Sequence, residues 1–137
     1  NKLMYLNVSK LTNLEYLSCL TNKITSLDVS KNKKLTTLNA QYNSLKKLTM
    51  GGAVALEEVD CSNNQLTSLS TGNTPVLRKL NCAKNRITTL NISKNSKLLY
   101  LFCKNNKLKK LDIRKNKKLL TTDGVLSIDN GVWLLIQ

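Results

Sequence analysis

Asn22, Asn43, Asn64, Asn85 and Asn106 recur every 21 residues, each inside the same frame of apolar residues. A fixed period of this length marks a solenoid, in which each repeat buries its apolar face against its neighbours. Five full repeats run over 14–34, 35–55, 56–76, 77–97 and 98–118. Position 1 is always Leu (Leu14, Leu35, Leu56, Leu77, Leu98), and position 14 is always Leu (Leu27, Leu48, Leu69, Leu90, Leu111). Position 4 is Leu or Val, position 6 Cys or Ala, and position 11 Leu or Ile.

A shorter period lies inside the first. The pattern LxxLxCxxN over positions 1–9 is echoed by LxxLxVxxN over positions 11–19, closed by Asn32, Asn95 and Asn116. Ala53 and Thr74 replace that second Asn in the middle repeats, beside Gly51, Gly52, Gly72 and Pro75, and predict a looser bend there. Each half-repeat carries an apolar-x-apolar pair, such as Leu17-Ser18-Cys19 or Leu27-Asp28-Val29. Such alternation describes a strand with one buried face. No window has a sustained helical pattern. The expectation is two short parallel strands per turn, on opposite sides of a flattened coil, with coils stacked about 4.8 Å apart.

The Asn column reads as framework, because an inward amide just after a strand can bond bent backbone and, in register, its own neighbours in the column. Cys19, Cys61, Cys82 and Cys103 share one inward repeat position with Ala40, so a small buried side chain meets the need. No two of them have the close spacing, roughly two to four residues, of zinc-ligand pairs. Side chains stacked in parallel also make poor disulfides. They read as reduced core thiols, and neither a metal nor a cofactor is expected. The chain has no His, the commonest general base. It has no glycine-rich phosphate loop after a strand, and Glu58 and Asp60 belong on an open sheet. An enzyme is not expected.

On these residues the chain resembles a bacterial leucine-rich repeat protein of the nested 21-residue type called IRREKO, over residues 1 to about 119. The resemblance implies a β-rich leucine-rich-repeat solenoid: a right-handed coil with two short parallel sheets and few or no helices. It also implies a recognition module, non-catalytic, in a bacterial secreted or cell-surface protein.

The array is expected over 1–119, with a partial repeat at 1–13, and a C-terminal cap over 120–137. Asp129-Asn130-Gly131 between apolar runs predicts a hairpin-like cap, with Trp133 covering the last coil. The sequence opens in mid-repeat and reads as part of a longer array. An uncapped first coil is expected to self-associate through its exposed core and strand edge. No stretch is long and apolar enough to predict a transmembrane segment.

In leucine-rich repeats the ligand commonly lies on the sheet of first strands. Its outward residues here are Tyr16, Ser18, Thr37, Asn39, Glu58, Asp60, Lys79, Asn81, Tyr100, Phe102 and Lys104. They vary between repeats while the inward frame does not, and a protein or glycan ligand is expected on them. The second sheet's outward residues are small and hydroxyl-rich, and less is expected there. The net charge is +14, and residues 77–118 hold 14 of the 22 basic residues against one acid, Asp112. This band, with Arg86, Lys107, Lys109, Lys110, Arg114 and Lys115, is the alternative site, for a polyanion such as an acidic glycan, lipopolysaccharide or nucleic acid. Nucleic acid ranks below a surface polyanion because few aromatics lie among the lysines. A structural spacer is the remaining alternative.

Overall fold

The computed structural model describes residues 1–137. Ten three-residue strands form: β1 (Tyr16–Ser18), β2 (Ser26–Asp28), β3 (Thr37–Asn39), β4 (Lys47–Thr49), β5 (Glu58–Asp60), β6 (Lys79–Asn81), β7 (Tyr100–Phe102), β8 (Lys110–Asp112), β9 (Val125–Ser127) and β10 (Trp133–Leu135). There is no α-helix; a single 3-10 turn spans Lys117–Leu120. The first strands make one parallel sheet in the order β1-β3-β5-β6-β7-β9. Its register follows the period, with Leu17, Leu38, Val59, Leu80, Leu101 and Leu126 as successive partners. The alternation expected from the sequence holds: the central residue of every strand from β2 to β8 is buried and its flanking residues are not.

The second face departs from the expectation of a continuous sheet. It consists of two separate parallel pairs, β2-β4 and β8-β10. Ser68–Ser70 and Thr89–Asn91 occupy the equivalent positions but join no ladder.

Between the faces lies one core of 30 buried apolar residues, drawn from repeat positions 1, 4, 6, 11, 14 and 16 together with Ala53. The first bend turns through a left-handed residue in each coil, Thr21, Tyr42, Asn63, Lys84 and Asn105, with φ of 54–58°. The next residue is the periodic Asn. Asn64 is typical: its Nδ2 donates to Ala40 O (3.0 Å), Cys61 O (3.1 Å) and Ser62 O (3.1 Å), and its Oδ1 accepts from Leu45 N (2.9 Å). Asn43, Asn85 and Asn106 repeat this set. The amides therefore do not bond one another, as stacking suggested; each ties its own bend to the backbone of the preceding coil.

The second bend is no looser in the middle repeats. The turn bonds Ala53 N to Met50 O (2.9 Å) and Thr74 N to Thr71 O (3.3 Å) match Asn32 N to Val29 O (3.0 Å) in the first repeat. Ala53 and Thr74 are fully buried. The glycine at 52 serves close approach, because a Cβ there would lie 1.8 Å from Ser30 O of the preceding coil. Where Asn is kept, Nδ2 bonds the preceding coil, as from Asn116 to Ile92 O and Asn95 O (both 2.8 Å). The Oδ1 of Asn95 accepts from Thr71 Oγ1 at 2.6 Å, whereas Val8 and Ile92 occupy the Thr71 position opposite Asn32 and Asn116. The Oδ1 atoms of Asn32 and Asn116 are buried without a partner.

Residues 120–137 are not a hairpin but a sixth coil. Strand β9 pairs with β7 and β10 with β8, both parallel, so the two apolar runs lie on opposite faces. The period hid this because Leu101 and its partner Leu126 are 25 residues apart, four more than in earlier coils. The extra length lies in the second bend, around the 3-10 turn and Gly124. The first bend is two residues shorter, and Gly131 supplies its positive φ of 83°. The side chain of Asp129 stands in for backbone there. Its Oδ1 accepts from Asn105 N (2.9 Å) and its Oδ2 from Asn106 N (3.3 Å). Carbonyls of the next coil do this for Asn63 and Asn64. Trp133 does not cover the core. Its register with Lys110 puts it in an outward row, 77% exposed, while Leu126 and Leu134 pack inward.

Two stability outcomes follow from these bonds. Asn64→Ala leaves the buried Leu45 N without a partner and takes one of two donors from Ala40 O, Cys61 O and Ser62 O, and it should cost about 2–3 kcal/mol, read by urea denaturation. Thr71→Val keeps the shape but orphans Asn95 Oδ1, and a loss of about 1–2 kcal/mol is expected; an unchanged midpoint would contradict the bond.

Candidate recognition faces

The first sheet brings together about half of the expected ligand residues. Tyr16, Thr37, Asn39, Glu58, Asp60 and Lys79 line a shallow depression of about 290 Å³ across the first four rungs. Tyr100, Phe102 and Lys104 lie farther along the same face, with Tyr100 in register beside Lys79 and Phe102 beside Asn81. Tyr16 is 60% exposed, while Tyr100 and Phe102 are half-buried.

Three of the residues expected to face a ligand also belong to the framework. Asn39 Oδ1 accepts from Gln41 N (3.4 Å), Asp60 Oδ1 from Ser62 N (3.0 Å) and Asn81 Oδ1 from Ala83 N (3.2 Å). Each caps the end of its strand as an Asx turn. The same turn closes the second half-repeat at Asp28, Asn91 and Asp112. Asp60 is further held by Ser62 Oγ (2.7 Å) and Asn81 Nδ2 (3.2 Å). Their side chains are pinned, so the freer residues of the face are Tyr16, Ser18, Glu58, Lys79 and Lys104. Tyr42, 53% exposed on the adjoining bend, is not foreseen by the repeat pattern because its outward direction comes from a left-handed backbone.

The basic band divides between bends and second face. Arg86 and Lys107 precede the second half-repeat, Lys109 and Lys110 lie at β8, and Arg114 and Lys115 lie at the second bend. Arg114 is committed: its Nε and Nη2 bind the two oxygens of Asp112 at 2.9 and 2.6 Å. This fork, helped by the Arg114 amide, holds the Asp112 carboxyl at about 2. It is the only ion pair, so 21 of the 22 basic side chains are uncompensated at contact distance.

All four cysteines are free and buried, as the shared inward position implied. Burial pushes the Cys61 thiol up to about 12, with the neighbouring Asp60 charge adding to it. Burial, with some help from Asp129, does the same at Cys103, to about 12. Cys82 is raised well above the ordinary range, chiefly by desolvation. No group of His, Cys, Asp or Glu is arranged to hold a metal ion.

Several solved structures resemble this one. The functional domain of InlJ from Listeria monocytogenes, described as including a cysteine ladder, matches 97% of this chain at 32% identity with a TM-score of 0.82. YopM from Yersinia enterocolitica matches 80% at 26% identity and 0.66. A leucine-rich repeat protein of Leptospira interrogans matches 86% at 27% identity and 0.69. The chain spans 27%, 23% and 39% of those chains, respectively. These neighbours are bacterial leucine-rich repeat proteins, and they share its solenoid of stacked 21-residue coils. No protein-family model matches the chain, and neither does any curated protein.

The thiols generate a pH prediction. A folded-state pKa above the ordinary 9.0 means the native protein keeps protons that the unfolded chain loses. Their stabilisation is complete below pH 9 and is lost as pH rises toward about 12. Urea midpoints should fall over that range, and less steeply in Cys61→Ala. Ellman's reagent at pH 8 should find these thiols slow in the native protein and all four fast in denaturant; rapid native labelling would refute the burial.

Proposed function

We propose that this leucine-rich repeat solenoid is a non-catalytic recognition module that holds a protein ligand on its six-stranded face, within a bacterial secreted or surface protein. The observation that carries this reading is the division of roles on that sheet. One side of each strand repeats Leu, Val and Cys, while the other side changes in charge, size and aromaticity from rung to rung. An uninterrupted surface with projecting Tyr16 and half-buried Tyr100 and Phe102 suits an extended protein contact, where aromatic side chains act as anchors. A catalytic role finds no support in buried, protonated thiols and a chain without His.

A second reading is favoured by one further observation: the basic side chains of residues 77–118 lack carboxylate partners apart from Arg114. The band would then hold a polyanion.

Binding to a defined panel of extracellular protein domains, measured by biolayer interferometry, separates the two. For any domain that binds, Tyr100→Ala with Phe102→Ala should weaken binding about tenfold or more. Charge reversal at Lys107, Lys109 and Lys110 should change it little, and salt should have a shallow effect. Binding that survives the aromatic substitutions but vanishes on charge reversal, with a steep salt dependence, would overturn the protein reading in favour of the polyanion.

A further inference from the structure

The second face is uneven. Where Ser68–Ser70 and Thr89–Asn91 join no ladder, furrows open between the rungs, and two of them flank Thr89–Asn91. One, of about 270 Å³, runs between the Ser68–Ser70 and Thr89–Asn91 rungs and ends at Lys94. The other, of about 480 Å³, lies between Thr89–Asn91 and β8, lined by Ser93, Lys110, Asp112 and Arg114. Thr89 and Asn91 line both, so the two furrows lie side by side as a trough with that rung along its middle. Trp133 stands one rung beyond Lys110 in the same outward row.

The chemistry of this trough is specific. Its walls offer hydroxyls and the Asn91 Nδ2 amide, while Asn91 O and Oδ1 are held by Thr71 Oγ1 and Ser93 N. Such groups match ligand hydroxyls, which are both donors and acceptors. Asp112 and Arg114 neutralise one another, and the remaining charges at hand, Lys94, Lys109, Lys110 and Lys115, are all positive. An exposed indole presents a broad apolar face against which the C–H face of a sugar ring can stack. The acids of the protein's middle repeats, Glu57, Glu58 and Asp60, belong to the opposite face. A duplex polyanion would need no hydroxyl-lined trough.

We propose that the trough from Ser68 to β8, together with Trp133 on the next rung, is a binding site for an acidic oligosaccharide, bearing sulfates or uronic carboxylates. Lys94 and Lys110 would neutralise its acidic groups, Thr89 and Asn91 would bond its hydroxyls, and Trp133 would cover one sugar ring. This rests on the second reading above, and it places that polyanion on a face the repeat pattern leaves plain.

The only Trp of the chain is its own reporter. Titration with a heparin-derived hexasaccharide, carrying sulfates and carboxylates, should give a saturable change in Trp133 emission. A hexagalacturonate separates carboxylate from sulfate recognition, and maltohexaose, which is neutral, should give none. By calorimetry, Trp133→Ala and Lys110→Glu should each weaken hexasaccharide binding about tenfold, with melting temperatures confirming the fold. Tyr100→Ala with Phe102→Ala should leave it unchanged. Hexasaccharide binding with silent Trp133 emission, or equal affinity for single-stranded DNA of the same charge, would remove this site while leaving the polyanion reading standing. Failure of every charged probe to bind would remove both.

Discussion

Each periodic asparagine holds two coils at once, and the rest of the solenoid depends on that bond set. A coil of this kind cannot bury its own bends: the chain turns sharply, through a left-handed residue, and leaves carbonyls facing inward with no strand partner. Buried polar groups without partners destabilise by amounts comparable to the net stability of a domain. The carboxamide is the one neutral side chain that accepts from one coil while donating to carbonyls of two. Asp could accept but not donate, and Leu could do neither. This is why the column tolerates no substitution in five repeats, whereas apolar positions 4, 11 and 16 exchange Leu, Ile, Val and Met.

The second bend shows the same logic with a weaker demand. There the turn closes by its own backbone bonds, so Ala53 fits without any polar side chain, and Thr74 caps the turn with its hydroxyl. The variation at that position, with the missing ladder beside it, marks the side of the coil that is less tightly specified. Freedom there leaves room for the furrows, and the continuous sheet opposite carries the more ordered display of side chains. The protein thus has two unlike surfaces, one with continuous pairing and mixed charge, the other interrupted and basic.

Much of this was legible in the residues. The coil period, the inward positions, the buried thiols and the first sheet all follow from counting, because a repeat that stacks in register puts equal positions in equal places. What failed did so for identifiable reasons. The last coil carries a longer second bend, so a strict count of 21 placed Thr122 where Leu126 lies, and Asp-Asn-Gly then resembled a hairpin turn. The outward direction of Trp133 depends on that shifted register. Asn39, Asp60 and Asn81 lie on the outward face that the repeat predicts, but their side chains also cap their strands, which the spacing alone does not reveal. Of the candidate patches, the first face gathers its members across adjacent rungs, while Arg114 leaves the basic band for Asp112.

Sequence alone determined the architecture here: periodic apolar and amide positions can be satisfied together only by stacked coils, and the period counts them. Only the tertiary structure decided how neighbouring coils meet. Whether a given rung pairs, splays or receives a carboxylate in place of a carbonyl depends on bend lengths and on the backbone of the next coil. Those are relations between residues 21 or more apart, and no single repeat contains them.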